Sequence, residues 1–79
     1  MTKEEIAAAM LAVEKIAPIN SKWRHLKSNR DYAVCGYVML EASATVGVAY
    51  AELGPESPIW ARDAAEFLDG RFLSLANGT

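Results

Sequence analysis

Cysteine and histidine, the side chains most used for metal cages and proton shuttling, occur once each in these 79 residues. A lone Cys35 cannot close an internal disulfide. Its neighbours Val34, Gly36 and Tyr37 place it in a strand, where the expectation is an inert small hydrophobe. Structural zinc sites usually take four Cys or His ligands, so no metal is expected. Nucleophilic catalysis needs a Ser, Thr or Cys beside an oriented base, and His25 is the one imidazole, with no nucleophile motif to serve. The chain also lacks a phosphate-cradling glycine loop and a paired-carboxylate motif. No catalytic residue and no cofactor are assigned, and a non-enzymatic, binding role is expected.

Long apolar runs are missing too. The longest, residues 6–13, is half alanine and far shorter than the roughly 20 residues a bilayer demands. No membrane span is expected. Glu4 and Glu5 stand where a secretory signal carries positive charge, which points to a cytoplasmic protein. A hydrophobic share of 52% with 23% charged residues is that of a packed globular chain. At this length there is room for one core, so residues 1–79 are read as a single domain.

Net charge is −2, unevenly placed. Between residues 20 and 31, Lys22, Arg24, Lys27 and Arg30 face only Asp31, a balance of +3. From residue 32 onward Glu41, Glu52, Glu56, Asp63, Glu66 and Asp69 oppose Arg62 and Arg71, a balance of −4. A basic island sits on an acidic body. Affinity for duplex DNA depends on neutralising many phosphates, so direct duplex binding is not expected.

Thr2 followed by Glu5 forms a capping-box pattern. Ile6, Ala9, Met10, Val13, Ile16 and Ala17 then recur at helical steps until Pro18 stops them, which predicts a helix over 3–17 with that stripe buried. Beyond the 19–21 linker, alternation and β-branched or aromatic residues take over. Strands are predicted at 22–27, 31–40, 45–52, 59–62 and 71–75. Tyr32, Val34, Gly36, Val38 and Leu40 should share one face of the second, with Gly36 marking a bulge or bend, and Val46, Val48 and Tyr50 one face of the third. A single helical turn over 63–68, capped by Asp63, and a turn at Asp69-Gly70 precede the last strand. Residues 76–79 should fray. The expected class is α+β: an N-terminal helix followed by a five-stranded antiparallel, SH3-like, partly open barrel.

Phe67 and Phe72 are expected in the core, since aromatics bury the largest area per residue. Trp23 and Trp60, each closely followed by arginine, could serve as core or as stacking platform. In a closing barrel Arg24, His25 and Lys27 would approach Trp60 and Arg62, a basic-aromatic patch for an anion. The bland alternative is that these charges pair with Asp31, Glu41, Asp63 or Asp69 on a solvated surface.

The segments Trp23-Arg24-His25-Leu26-Lys27, Tyr32-Ala33-Val34, Val48-Ala49-Tyr50, Trp60-Ala61-Arg62 and Phe67-Leu68-Asp69-Gly70-Arg71-Phe72 together carry a resemblance. The series, from residue 22 to 72, resembles a family of small bacterial and phage-encoded domains of unknown function. That family is marked by an aromatic-Arg-His-x-Lys opening and a later Trp-x-Arg. Asp63 stands where the family usually places proline, and the loop after Ser28 lacks its usual glycine. In size, acidity and mixed helix and strand, the chain is also loosely similar to anti-CRISPR proteins. That likeness implies a phage or prophage inhibitor of bacterial defence. It would bind a host defence complex, such as a CRISPR surveillance complex, through Glu41, Glu52 and Glu56 and block nucleic-acid loading. The alternative is a small anion- or nucleotide-binding module built on Arg24, His25, Lys27, Trp60 and Arg62. A homodimer through the helix face or a sheet edge is a third reading.

Overall fold

A computed structural model describes residues 1–54 and 56–75. Helix α1 (Lys3–Ile16) starts where the capping pattern places it: the Thr2 hydroxyl accepts from the Glu5 N–H at 3.1 Å, and Glu5 Oε1 accepts from the Thr2 N–H at 2.7 Å. Four strands follow as an antiparallel meander: β1 (Lys22–His25), β2 (Arg30–Leu40), β3 (Thr45–Glu52) and β4 (Ile59–Asp63). A short helix α2 (Ala64–Glu66) and a wide turn over Phe67–Arg71 then carry the chain to β5 (Phe72–Ser74). The strand β5 pairs with β1 on the far side, so the sheet order is β4-β3-β2-β1-β5. The class is therefore α+β, and the five-stranded antiparallel sheet is not closed. Its two edge strands, β4 and β5, flank the opening. Among the described residues no helix is long and apolar enough to cross a membrane.

The turn between β4 and β5 has clear local causes. The Asp63 carboxylate accepts from the N–H groups of Ala65 and Glu66, capping α2. Gly70, at φ 108°, takes the left-handed conformation that ends the wide turn and that a side chain would resist. Between these points Phe67 is driven fully into the core. It stacks on Phe72 with centroids 4.3 Å apart and meets the Trp23 ring edge-on at 5.2 Å. Val34, Val46, Val48 and Tyr50 complete the sheet's contribution, so both phenylalanines and Trp23 are core residues.

Two expected patterns are corrected. The helix seam is narrower than its sequence stripe. Val13 and Ala17 are buried and Ile6, Ala9 and Met10 half-buried, but Ile16, one step off the Val13–Ala17 line, is 59% exposed. The second correction is in β2, where Val34 pairs with Tyr50 but Gly36 pairs with Ala49, leaving Cys35 as the extra residue of a bulge. Past the bulge every side chain changes face. Tyr37 and Met39 now sit opposite Val48 and Val46, while Val38 and Leu40 move to the other side. Cys35, expected as an inert strand hydrophobe, is exposed at the bulge. Tyr37 uses its new position to donate from its hydroxyl to the Ala17 carbonyl at 2.6 Å, tying the end of α1 to the sheet. The fraying expected of residues 76–79 lies outside the described residues.

Strand ends otherwise fall close to expectation. The first strand is shorter than 22–27 because Leu26 and Lys27 enter the turn to β2, where Asn29 adopts φ 59°. Gly47 has a packing reason for its identity: a Cβ there would lie 2.9 Å from Leu40 Cγ and 3.0 Å from the Arg62 carbonyl oxygen.

Candidate functional site

Alternation along a strand sends neighbouring side chains to opposite faces, and this rule sorts the basic residues of β1. Trp23 and His25 share the concave face. Arg24 lies between them and points away, directly opposite Asp31 in the β1–β2 register. There its Nε and Nη2 donate to the two Asp31 carboxylate oxygens at 2.8 and 3.2 Å. This two-point bond raises the Arg24 pKa and lowers that of Asp31. Arg24 is thus partnered on the convex face, as the bland alternative expected for a basic residue near Asp31.

His25, Trp60 and Arg62 do converge. Together with Tyr32, Tyr50 and Phe72 they line a cavity of about 180 Å³ in the mouth of the open sheet. Trp60 and Arg62 reach it because they alternate on β4 with Ala61, opposite Tyr50 and Val48. Trp60 is 52% exposed on an edge strand, so its ring is available as a platform. His25 comes from β1, its ring 4.9 Å from that of Phe72, and its Nδ1 shares a 2.8 Å hydrogen bond with the Ser28 hydroxyl.

A second, larger hollow of about 530 Å³ adjoins the first, since His25 and Arg62 border both. Its remaining walls are Leu26, Lys27 and Arg71. Leu26 donates its N–H to the Arg71 carbonyl at 3.0 Å, which holds the turn carrying Lys27 against the turn carrying Arg71. Two compartments result, one aromatic and one cationic, with His25 and Arg62 at their junction.

The Arg62 guanidinium is the most constrained cation of this group. The Tyr50 hydroxyl beside it, and more distantly Glu66 and Asp69, raise its pKa against the opposing effect of burial. Its Nη1 donates to Glu66 Oε1 at 3.4 Å. Its Nε is buried and, among the described residues, has no hydrogen-bond partner. Glu66 Oε1 also lies 3.8 Å from Arg71 Nη1, and Asp69 Oδ2 accepts from Arg71 Nε at 3.0 Å.

The three glutamates singled out in the sequence do not form one face. Glu41 lies in the turn before β3, and Glu52 closes the far end of that eight-residue strand, more than about 20 Å away at roughly 3.3 Å per residue. Glu52 pairs with Arg30 at 3.3 Å. Glu56 is exposed in the loop after it, near Ser57, whose hydroxyl accepts from the Glu52 N–H at 3.1 Å.

Of the basic-aromatic set, the fold therefore gathers His25, Lys27, Trp60 and Arg62 and sends Arg24 elsewhere. Sequence reasoning missed Arg71, Tyr32, Tyr50 and Phe72. The signal for Arg71 was weak: it follows Gly70 in a turn, but its nearness to Lys27 depends on β5 pairing with β1, a long-range contact. No protein-family model, curated protein or solved structure matches the chain.

Proposed function

We propose that the protein is a non-enzymatic binding module whose open sheet mouth takes an anionic ligand bearing a flat ring: a nucleotide, a signalling nucleotide or a short single-stranded segment. The observation that carries this reading is the pair of adjoining compartments. The ring stacks in the aromatic one against Trp60, and the anionic group reaches Arg62, Lys27, Arg71 and His25 in the other. Stacking suits any base because every base has a π-face, and guanidinium groups suit phosphate through two-point contact.

The resemblance to phage-encoded domains and anti-CRISPR proteins supports a second proposal, an inhibitor that docks its glutamates on a host defence complex. With Glu41 far from Glu52, and Glu52 already paired, the acidic residues offer no single face to a basic channel. The basic mouth is preferred for that reason.

Calorimetric titration with adenosine monophosphate and with a short single-stranded oligonucleotide, at low and high salt, tests the preferred reading. Binding that weakens with salt is expected. Arg62→Ala should reduce it about tenfold or more, since hydrogen bonds to charged groups contribute about 1.5–3 kcal/mol. Arg24→Ala, on the other face, should leave it unchanged. Equal losses in the two variants, or no binding by the wild type, would remove the reading.

A further inference from the structure

Two arginines that wall the cationic compartment already share an anion. Glu66 Oε1 sits between two guanidinium groups, 3.4 Å from Arg62 Nη1 and 3.8 Å from Arg71 Nη1. We propose that Glu66 is an internal stand-in for the ligand's phosphate, displaced on binding, and that it matches the site to ligands carrying a single phosphate. This inference rests on the mouth being the ligand site.

Three observations separate Glu66 from an ordinary structural pair. Its contacts are long, and its side chain is 51% exposed, so little holds it in place. Asp69 behaves differently. Its two carboxylate oxygens accept from the Arg71 backbone N–H at 3.2 Å and from Arg71 Nε at 3.0 Å, a closed local ring that a ligand would not easily open. Finally, Glu66 belongs to α2 through its backbone, whose N–H is held by Asp63, so the side chain can swing out without disturbing the turn.

Charge decides the ligand class. With His25 left aside, Lys27, Arg62 and Arg71 oppose Glu66 and Asp69, a local balance of +1. When Glu66 leaves, the balance becomes +2. A phosphate monoester carries about −1.5 to −2 at neutral pH and neutralises that value. A triphosphate would bring negative charge in excess of that balance, and a neutral nucleoside would leave the cations facing one another. The shared chemistry is a base joined to one phosphate, whether a free nucleoside monophosphate or the phosphorylated end of a single strand.

The test compares wild type and Glu66→Gln, which keeps size and helix position but removes the charge. Probes are adenosine monophosphate, adenosine triphosphate, adenosine, and a single-stranded oligonucleotide with and without a 5′-phosphate. The expected result is that the wild type prefers the monophosphate over both the triphosphate and adenosine. Glu66→Gln should bind the monophosphate about threefold to tenfold more tightly and narrow its preference over the triphosphate. In the wild type, the Glu66 carboxyl carbon resonance should shift when monophosphate is added, a readout independent of the variant. A strand that binds only when 5′-phosphorylated identifies a strand end as the source, whereas binding of the free monophosphate alone identifies the metabolite; either supports the proposal. If the wild type binds monophosphate while Glu66→Gln binds it equally or less well, the stand-in role is overturned and the site reading survives. If neither protein binds any probe, both fall.

Discussion

The two tryptophans sit on the same concave face of one sheet and meet opposite fates. Trp23 is 6% exposed and Trp60 52%. The ring of Trp23 lies on a strand flanked on both sides, β2 on one and β5 on the other, and against the edge of Phe67. Its indole N–H donates to the Ser21 hydroxyl at 3.0 Å, so its one polar group is satisfied where it is buried. Trp60 occupies β4, which among the described residues has no strand beyond it, at the place where a closed barrel would continue. What separates a core aromatic from a platform is therefore the number of strands around it, not its face or its chemistry. Leaving the sheet open keeps the Trp60 ring in solvent beside Arg62.

This contrast breaks most sharply under truncation. Trp23→Ala should remove about 3–5 kcal/mol of stability, as large aromatic deletions in cores do. Small domains have little beyond that to lose. The variant should unfold at much lower urea or lack a cooperative transition. Trp60→Ala should change the unfolding free energy from urea titration by no more than about 0.5 kcal/mol, the usual range for surface changes. Its effect should appear in binding instead, as a loss of about 1–3 kcal/mol in nucleotide affinity, the usual contribution of base stacking on an aromatic ring. A Trp60→Ala protein as unstable as Trp23→Ala would place both rings in one core.

A smaller effect concerns the helix, which touches the core through Val13 and Ala17 and is tied down by the Tyr37 hydroxyl. Tyr37→Phe removes that hydrogen bond and should cost about 0.5–1.5 kcal/mol, visible as a lower melting temperature with nucleotide affinity intact. The helix would thereby be shown to support the closed part of the sheet without contributing to the mouth.

The smallest effect is one of pH. Asp31 has its pKa lowered first by the hydrogen bond from Arg24, and Asp63 first by that from the Thr45 hydroxyl, with the N–H groups of Glu66 and Ala65 adding to it. Depressed folded values mean that both carboxylates stabilise the fold above the ordinary aspartate value of 3.8. That stabilisation is lost as pH falls through 3.8 and on through the lower folded values. The melting temperature should therefore drop on acidification below about pH 4, and Asp31→Asn with Asp63→Asn should flatten that drop.

Local signals were the legible ones. The Thr2-Glu5 capping box, the full extent of β3, the Asp63 cap and the burial of Phe67 and Phe72 all follow from patterns a few residues long. The face exchange in β2 was half legible. Gly36 marked a bulge region, but the residue inserted is Cys35, and a one-residue slip reverses every position after it. The place of Arg24 follows from strand alternation, since adjacent strand residues cannot both face one site. Arg71 was out of reach, because its place beside Lys27 depends on β5 crossing to β1, whereas Glu66 stands four residues after Arg62, a spacing open to the sequence.

The most direct test uses the two indoles as paired reporters, because each tryptophan gives one N–H signal in a proton–nitrogen correlation spectrum. Adenosine monophosphate is titrated into labelled protein, with Trp60→Phe used to assign the peaks. The Trp60 indole should shift progressively and saturate while the Trp23 indole, buried and bonded to Ser21, stays in place. A motionless Trp60 signal, or one that moves only together with Trp23, would contradict a ligand site in the open mouth of the sheet.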